Sequence, residues 1–299
     1  MYGSKSIRVF GAAIGRGAGD EACALGPEAL RRAGLLTRLQ QQGLRAKWET
    51  TIPARREGGD LAAVRHFSRE LARPVRSAVL RGHLPLVVGG DHSCAVGTWS
   101  GVASAVHARG ALGLIWIDAH MDAHVPHTSP SGNLHGMPLA CLLGHGDSVL
   151  SRQGGRPALS PQHVCLMGVR SYEPDEARLL ARLGVRVMLM EEVERRGVAA
   201  CMQEALRIAR AGTAAYGISL DIDSLDPEDA PGVGTPVPGG IRAAALAPVL
   251  AQATEDARFA ALEVVEYNSV RDRGGMTARL VVELAGRALD GHAKLALAA

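Results

Sequence analysis

The chain has 299 residues, 47% of them hydrophobic and 21% charged, enough apolar material for one large core or two modest ones. Its formal net charge of +3 comes without a basic block and only 3% of residues are aromatic, which argues against a base-stacking nucleic-acid surface. No apolar run reaches the roughly 18 residues of a membrane span, and Met1 to Ser6 carries no apolar leader, so neither a membrane partner nor a signal peptide is expected. Five cysteines, Cys23, Cys94, Cys141, Cys165 and Cys201, are an odd number with no CxxC pair, and they predict a reduced, cytoplasmic protein.

In chain order, Ile7 to Ala13 reads as a first strand, followed by a glycine-rich turn at Gly15, Gly17 and Gly19. Gly26-Pro27 opens a helix through Leu30, with proline in its favoured first turn. Ala46 to Ile52 is a second strand. Asp60 is expected to cap a helix that runs to about Leu80 and is kinked or divided at Pro74. Its arginines, Arg65, Arg69, Arg73 and Arg76, recur at helical spacing and read as a solvated face. Leu84 to Val88 is a third strand ending in Gly89-Gly90-Asp91-His92-Ser93, with a helix from Val96 to His107 behind it. Gly113 to Ile117 is a fourth strand, and a long loop from Val125 to Asn133 leads through His135-Gly136 to a small-residue helix. Val164 to Val169 is a fifth strand, Glu173 to Leu183 a helix, and Val185 to Met190 a sixth strand. A helix from Cys201 to Ala211 precedes a seventh strand, Ala215 to Leu220, which ends in Asp221-Ile222-Asp223. A helix then runs through Leu250, Phe259 to Val265 is an eighth strand ending at Glu266, and Thr277 to Leu289 is the last helix. Apolar runs alternating with helices predict a single α/β domain over residues 1–299 with a parallel sheet and helices on both faces. A closed (β/α)8 barrel gives a similar alternation.

Chemistry gathers at the carboxyl ends of three of these strands. His92 follows the third, Asp118, His120 and Asp122 follow the fourth, and Asp221 and Asp223 follow the seventh. An extended backbone would point Asp118, His120 and Asp122 to one side. Two imidazoles and four carboxylates packed together repel strongly without a compensating cation. Two divalent ions would resolve that repulsion, and mixed nitrogen and oxygen donors suit Mn²⁺, Zn²⁺, Fe²⁺ or Co²⁺. Two ions about 3.5–4 Å apart can share a water and lower its pKa, which makes the expected chemistry hydrolysis.

Gly89-Gly90-Asp91-His92-Ser93, Asp118-Ala119-His120-Met121-Asp122 and Ser219-Leu220-Asp221-Ile222-Asp223-Ser224-Leu225-Asp226-Pro227 resemble the three signatures of the ureohydrolase family, which includes arginase, agmatinase and formimidoylglutamase. The resemblance extends from Gly26-Pro27 to Glu266. It implies a three-layer open α/β fold, with an eight-stranded, mainly parallel sheet, and a binuclear manganese centre. Iron, cobalt or zinc could occupy the same ligands. Carried over by position, His92, Asp118, Asp122 and Asp221 hold one ion, and His120, Asp118, Asp221 and Asp223 hold the other. Asp118 and Asp221 then bridge, along with a hydroxide hydrogen-bonded to Asp122. The family also implies a homotrimer or homohexamer.

The segment Thr128-Ser129-Pro130-Ser131-Gly132-Asn133-Leu134-His135-Gly136 resembles the arginase branch. That match implies that Ser131 and Asn133 contact the amino acid end of the substrate and that His135 shuttles protons. Thr235 and Glu266 also fall on arginase positions, with Glu266 pairing with the guanidinium. Two positions depart from the pattern. His124 stands where arginases usually carry asparagine near the α-carboxylate, and Glu173 where they usually carry aspartate near the α-amino group. Arg170 and Glu176 are further rim residues, read as structural. The expected reaction is hydrolysis of L-arginine to L-ornithine and urea. The alternatives are another guanidino substrate, such as 4-guanidinobutyrate or agmatine, a non-catalytic family member, and, ranked lowest, a metal-dependent deacetylase.

Overall fold

Eight strands lie side by side in one sheet: β1 (Ile7–Ala13), β2 (Ala46–Pro53), β3 (Leu84–Val88), β4 (Ala111–Ile117), β5 (Val164–Val169), β6 (Arg186–Leu189), β7 (Thr213–Asp221) and β8 (Phe259–Val265). Their spatial order is β2-β1-β3-β8-β7-β4-β5-β6, and every pairing is parallel. Because β2 and β6 are edges, the sheet is open and the barrel alternative falls away. This computed structural model describes residues 6–297, and side chains as far as residue 291. Residues 1–5, and with them most of the stretch read for a leader, lie outside the described residues, as do 298 and 299.

Parallel neighbours need crossovers, and the crossovers here are helices that cover both faces. The strands are therefore apolar on both sides. Along β4, Ile115 and Ile117 enter one hydrophobic layer while Leu114 and Trp116 enter the other, the two-residue period of an extended chain. The first layer is covered by α2 (Leu35–Gln41), α7 (Met190–Arg196), α8 (Val198–Arg210), α9 (Ala243–Ala253) and α10 (Met276–Leu297). The second is covered by α3 (Asp60–Leu80), α4 (Ala95–Val106), α5 (Pro138–Leu142) and α6 (Pro174–Leu183). On α3, Val64, Phe67, Leu71 and Val75 are buried at helical spacing, the stripe expected of a helix laid on a sheet. α1 (Gly26–Arg32) packs beside β1. Three layers result, as the family resemblance implied.

Several local expectations are corrected. Asp60 is not the cap of α3: Gly59 takes that position, and the Asp60 carboxylate instead accepts from Arg16 Nε at 2.6 Å. Pro74 lies inside one continuous helix, held by the buried stripe on either side of it. β6 ends at Leu189, because Met190 opens α7. α2 and α7 have no counterpart in the sequence reading. The tail read as uninformative continues α10 to Leu297. Arg65 is not simply solvated, since its guanidinium clasps the Asp147 carboxylate.

The register sets the position of the candidate site. Val88 of β3 pairs with Val264 of β8, Val264 with Leu220 of β7, and Leu220 with Ile117 of β4. Those four residues form one row across adjacent strands, and the polar residues follow immediately after it. This is the carboxyl edge where open α/β sheets build their sites.

Candidate metal centre

The strand ends deliver the polar side chains by different local devices. After β3, Gly89 and Gly90 both take φ of +80°. A Cβ on Gly89 would sit 2.4 Å from Pro27 Cδ, so glycine alone lets the chain turn against α1 there. Asp91 then caps the short turn His92–Cys94, accepting from Ser93 N–H at 3.0 Å. Asp91 thus serves as a turn cap, while the next residue, His92, points into the cluster. Its ring stacks on Trp116, with centroids 4.2 Å apart.

After β4 the convergence has a different origin from the one expected. The strand stops at Ile117, and Asp118 to Asp122 follow an irregular path rather than an extended one. Asp122 has φ of +51°, a left-handed conformation that costs a non-glycine residue about 1–3 kcal/mol. Its carbonyl accepts from Leu139 and Ala140, which holds the strained residue in place. Glu266, after β8, has φ of +61°. These two are the only non-glycine residues with positive φ among the described residues, and both sit at the cluster, where such strain is commonly concentrated.

His92 Nδ1 lies 2.9 Å from Asp122 Oδ2, 2.9 Å from Asp221 Oδ2 and 3.1 Å from Asp118 Oδ2. His120 Nδ1 lies 3.2 Å from Asp223 Oδ2 and 3.4 Å from Asp118 Oδ1. Asp118 therefore turns one oxygen to each imidazole. His92 with Asp118 and Asp122, and His120 with Asp118 and Asp223, form two groups of potential metal donors that share Asp118. Asp221 approaches through His92, and its other oxygen accepts from Asp223 N–H at 2.8 Å. All six residues expected from the sequence are thus brought together.

A surrounding set of hydrogen bonds orients them. Trp116 Nε1 donates to Asp118 Oδ2 at 2.8 Å and Thr235 Oγ1 donates to Asp223 Oδ2 at 2.8 Å. Ser219 Oγ donates to Glu263 Oε2 at 2.8 Å and lies 3.0 Å from His92 Nε2. With the serine proton committed to Glu263, Ser219 accepts from His92 Nε2–H, and Nδ1 faces the carboxylates; burial works against charge on this ring, but Asp122, Asp118 and Asp221 outweigh it and raise the imidazole well above its usual range. His92 Nδ1 and Asp122 Oδ2 are both buried and make no hydrogen bond of acceptable geometry. Burial and the neighbouring Asp223 and Asp118 push the Asp221 carboxyl well above its usual range. Burial and Asp118 push Asp122 up to about 6. Carboxylates and an imidazole crowded in a buried site and pushed toward holding protons are what a divalent cation satisfies by replacing those protons. The residues present fit a metal.

The remaining predicted residues line a cavity of about 260 Å³ above this cluster. His135 Nδ1 is 3.0 Å from Glu266 Oε1, which also accepts from His92 N–H at 2.7 Å. Burial works against charge on His135, but Glu266 outweighs it and raises the imidazole to about 9. Ser131, Asn133 and Thr235 also line the cavity. At its mouth, His124 Nε2 lies 2.9 Å from Glu173 Oε2 and 3.3 Å from Glu176 Oε2. Burial pushes the Glu176 carboxyl up to about 8. Arg170 proves structural: its guanidinium donates to the carbonyls of Asp223, Ser224, Leu225, Val237 and Pro238, tying the loop after β7 to the end of β5.

Sequence reasoning missed Trp116, Ser219 and Glu263. Two of them left a faint signal, since Glu263 is a lone charge inside the run Phe259–Val265 and Ser219 a lone hydroxyl before Asp221. A charge buried in a strand needs partners, and here the partners lead to His92.

Known proteins show the same arrangement of chain. The model of the arginase family matches residues 5–290. Arginase of Bacillus caldovelox is 39% identical, covering 94% of this chain and 97% of its own length. Arginase of Brevibacillus brevis is 38% identical over 94% of this chain and 96% of its own length. The crystal structure of arginase from Bacillus subtilis superposes with a TM-score of 0.89 at 36% identity, covering 95% of this chain and 98% of that one. With the family model matching residues 5–290 and similarity to curated arginases over nearly the whole length, this chain belongs to the arginase family.

Proposed function

We propose that this chain is an arginase: a metal-dependent hydrolase that converts L-arginine to L-ornithine and urea. The observation that carries the reading is the buried His92 Nδ1 facing three carboxylate oxygens within 3.1 Å, beside the His135–Glu266 pair in one small cavity. Curated relatives named arginase, up to 39% identical over nearly the whole chain, support the substrate.

Two divalent ions fit the donor set, with manganese the first choice and cobalt, iron or zinc the alternatives. His92, Asp118, Asp122 and Asp221 would hold one, and His120, Asp118, Asp221 and Asp223 the other. When bound, such ions supply the Lewis acidity that makes water nucleophilic near neutral pH. Asp122 would accept a hydrogen bond from the attacking water and orient it. Glu266 is an anion in a buried setting and pairs with the guanidinium, a charge-assisted contact that positions its carbon. His135, held protonated by Glu266, donates a proton to the departing amine nitrogen. Ser131, Asn133, His124 and Glu173 face the far end of the substrate, and Thr235 keeps Asp223 oriented.

The test is urea production by the manganese-loaded protein from L-arginine, agmatine and 4-guanidinobutyrate side by side. L-arginine is expected to give the highest kcat/KM. Preference for either of the others would overturn the substrate reading, and no urea from any of them would overturn the reaction. A cytoplasmic homotrimer or homohexamer belongs to the same reading, supported by five buried, unpaired cysteines for the compartment. Light scattering measures the assembly.

A further inference from the structure

On the edge of the sheet opposite the metal centre, a cleft of about 390 Å³ opens between α4, the start of β4 and the segment leading into β5. β4 leaves this edge at Ala111 and meets the metal donors only after Ile117. α4 runs the other way, from beside His92 towards His107, a length of about 18 Å for its turns. Ser100, Ser104 and His107 line the cleft from one flank of α4, at the spacing of a single helix face. Arg156 and Ser160 line it from the other side. Among the described residues, none of these five side chains has a hydrogen bond or an ion pair. Ser100 is nonetheless only 8% exposed, and a hydroxyl that deeply buried needs a partner. The charge around the cleft has one sign. No carboxylate lines it, residues 148–162 contain Arg152 and Arg156 but no acid, and neither these two arginines nor Arg109 is ion-paired among the described residues.

We propose that this cleft binds a small phosphate monoester. The Arg156 guanidinium matches two phosphoryl oxygens with parallel N–H groups. Three serine hydroxyls and the His107 ring offer donors for the oxygens that remain. The phosphoryl group sits against the flank of α4 beside Ser100, more than a turn before the helix ends, where the unfavourable C-terminal dipole has fallen off. Leu112 and Pro157 supply an apolar wall for the organic part. No aromatic side chain lines the cleft, so a base has nothing to stack on and nucleotides are selected against. The cleft shares no residue with the cavity at the metal centre, so it stands apart from the reaction proposed above.

Equilibrium dialysis of the manganese-loaded protein against labelled glycerol 3-phosphate tests the site without relying on turnover. One molecule per chain is expected to depend on the cleft. Arg156→Gln should weaken it roughly tenfold or more, the worth of a lost charge-assisted hydrogen bond, and Ser100→Ala severalfold, while Arg156→Lys keeps part of the affinity. The unliganded Tm of Arg156→Gln should match that of the native protein, because the side chain has no partner to lose. Succinate, dialysed in parallel, is expected to bind more weakly, since a carboxylate has one oxygen fewer to engage the hydroxyls. Absence of binding, binding undiminished in both Arg156→Gln and Ser100→Ala, or succinate held as tightly as the phosphate overturns the proposal. Loss of binding in those two variants upholds it even if L-arginine yields no urea.

Discussion

Asp118 is the residue on which both halves of the cluster depend, because each of its oxygens faces a different imidazole. Asp118→Ala is expected to lose both ions and all urea production; metal analysis of the purified variant checks this, and full manganese occupancy would refute the shared role. His135 lies apart from those donors and is tied instead to Glu266. His135→Ala should therefore keep its metal while losing rate by about 10²–10⁴-fold, the usual worth of a positioned general acid. The pH dependence follows in sign. The protonated imidazole is the donor, it predominates below about 9, and it is lost as pH rises through that value. The native protein should show an alkaline limb in its pH–rate profile that disappears in His135→Asn.

At the level of elements, the strands were the most legible part of the chain. β3, β5 and β8 begin and end where their apolar runs do, because strands buried on both faces tolerate almost nothing else. The six metal-donor candidates were legible for a related reason, since each lies at a strand end or within a few residues of one. α2 and α7 were not legible. Each is seven residues long with no side-chain cap, so neither periodicity nor an end signal marks it. The His135–Glu266 contact spans 131 residues and depends on where β8 inserts, which no local pattern encodes. The same limit hid the tie between Arg65 of α3 and Asp147, at the start of the turn that follows α5. The Arg65 hydrogen bond holds the Asp147 carboxyl below its usual range. A depressed carboxylate contributes stability above its unfolded pKa and loses it as pH falls through the folded value. Asp147→Asn should accordingly flatten the acid limb of a thermal stability profile without altering stability's dependence on alkali.

For the whole molecule, the buried cluster is a debt of repulsion that a bound cation cancels. Anything that binds only the folded state stabilises it by mass action, about 2.7 kcal/mol at one hundred times Kd. Chelation of the metal is thus expected to lower Tm by about 4 °C for a chain of this size, and manganese should restore it; calorimetry with and without chelator reads both. An unchanged Tm would mean that the carboxylates are relieved by protons alone.

The sheet order carries one more consequence. β8 is the last strand in the chain, yet it lies between β3 and β7 at the centre of the sheet. During synthesis β3, β4 and β7 are made before β8, the strand that lies between His92 and Asp221. His120, Asp118 and Asp223 come from β4 and β7, which pair directly. A chain truncated before β8 is therefore expected to keep at most the His120 half of the cluster, so that closure of the His92 half reports that β8 is in place.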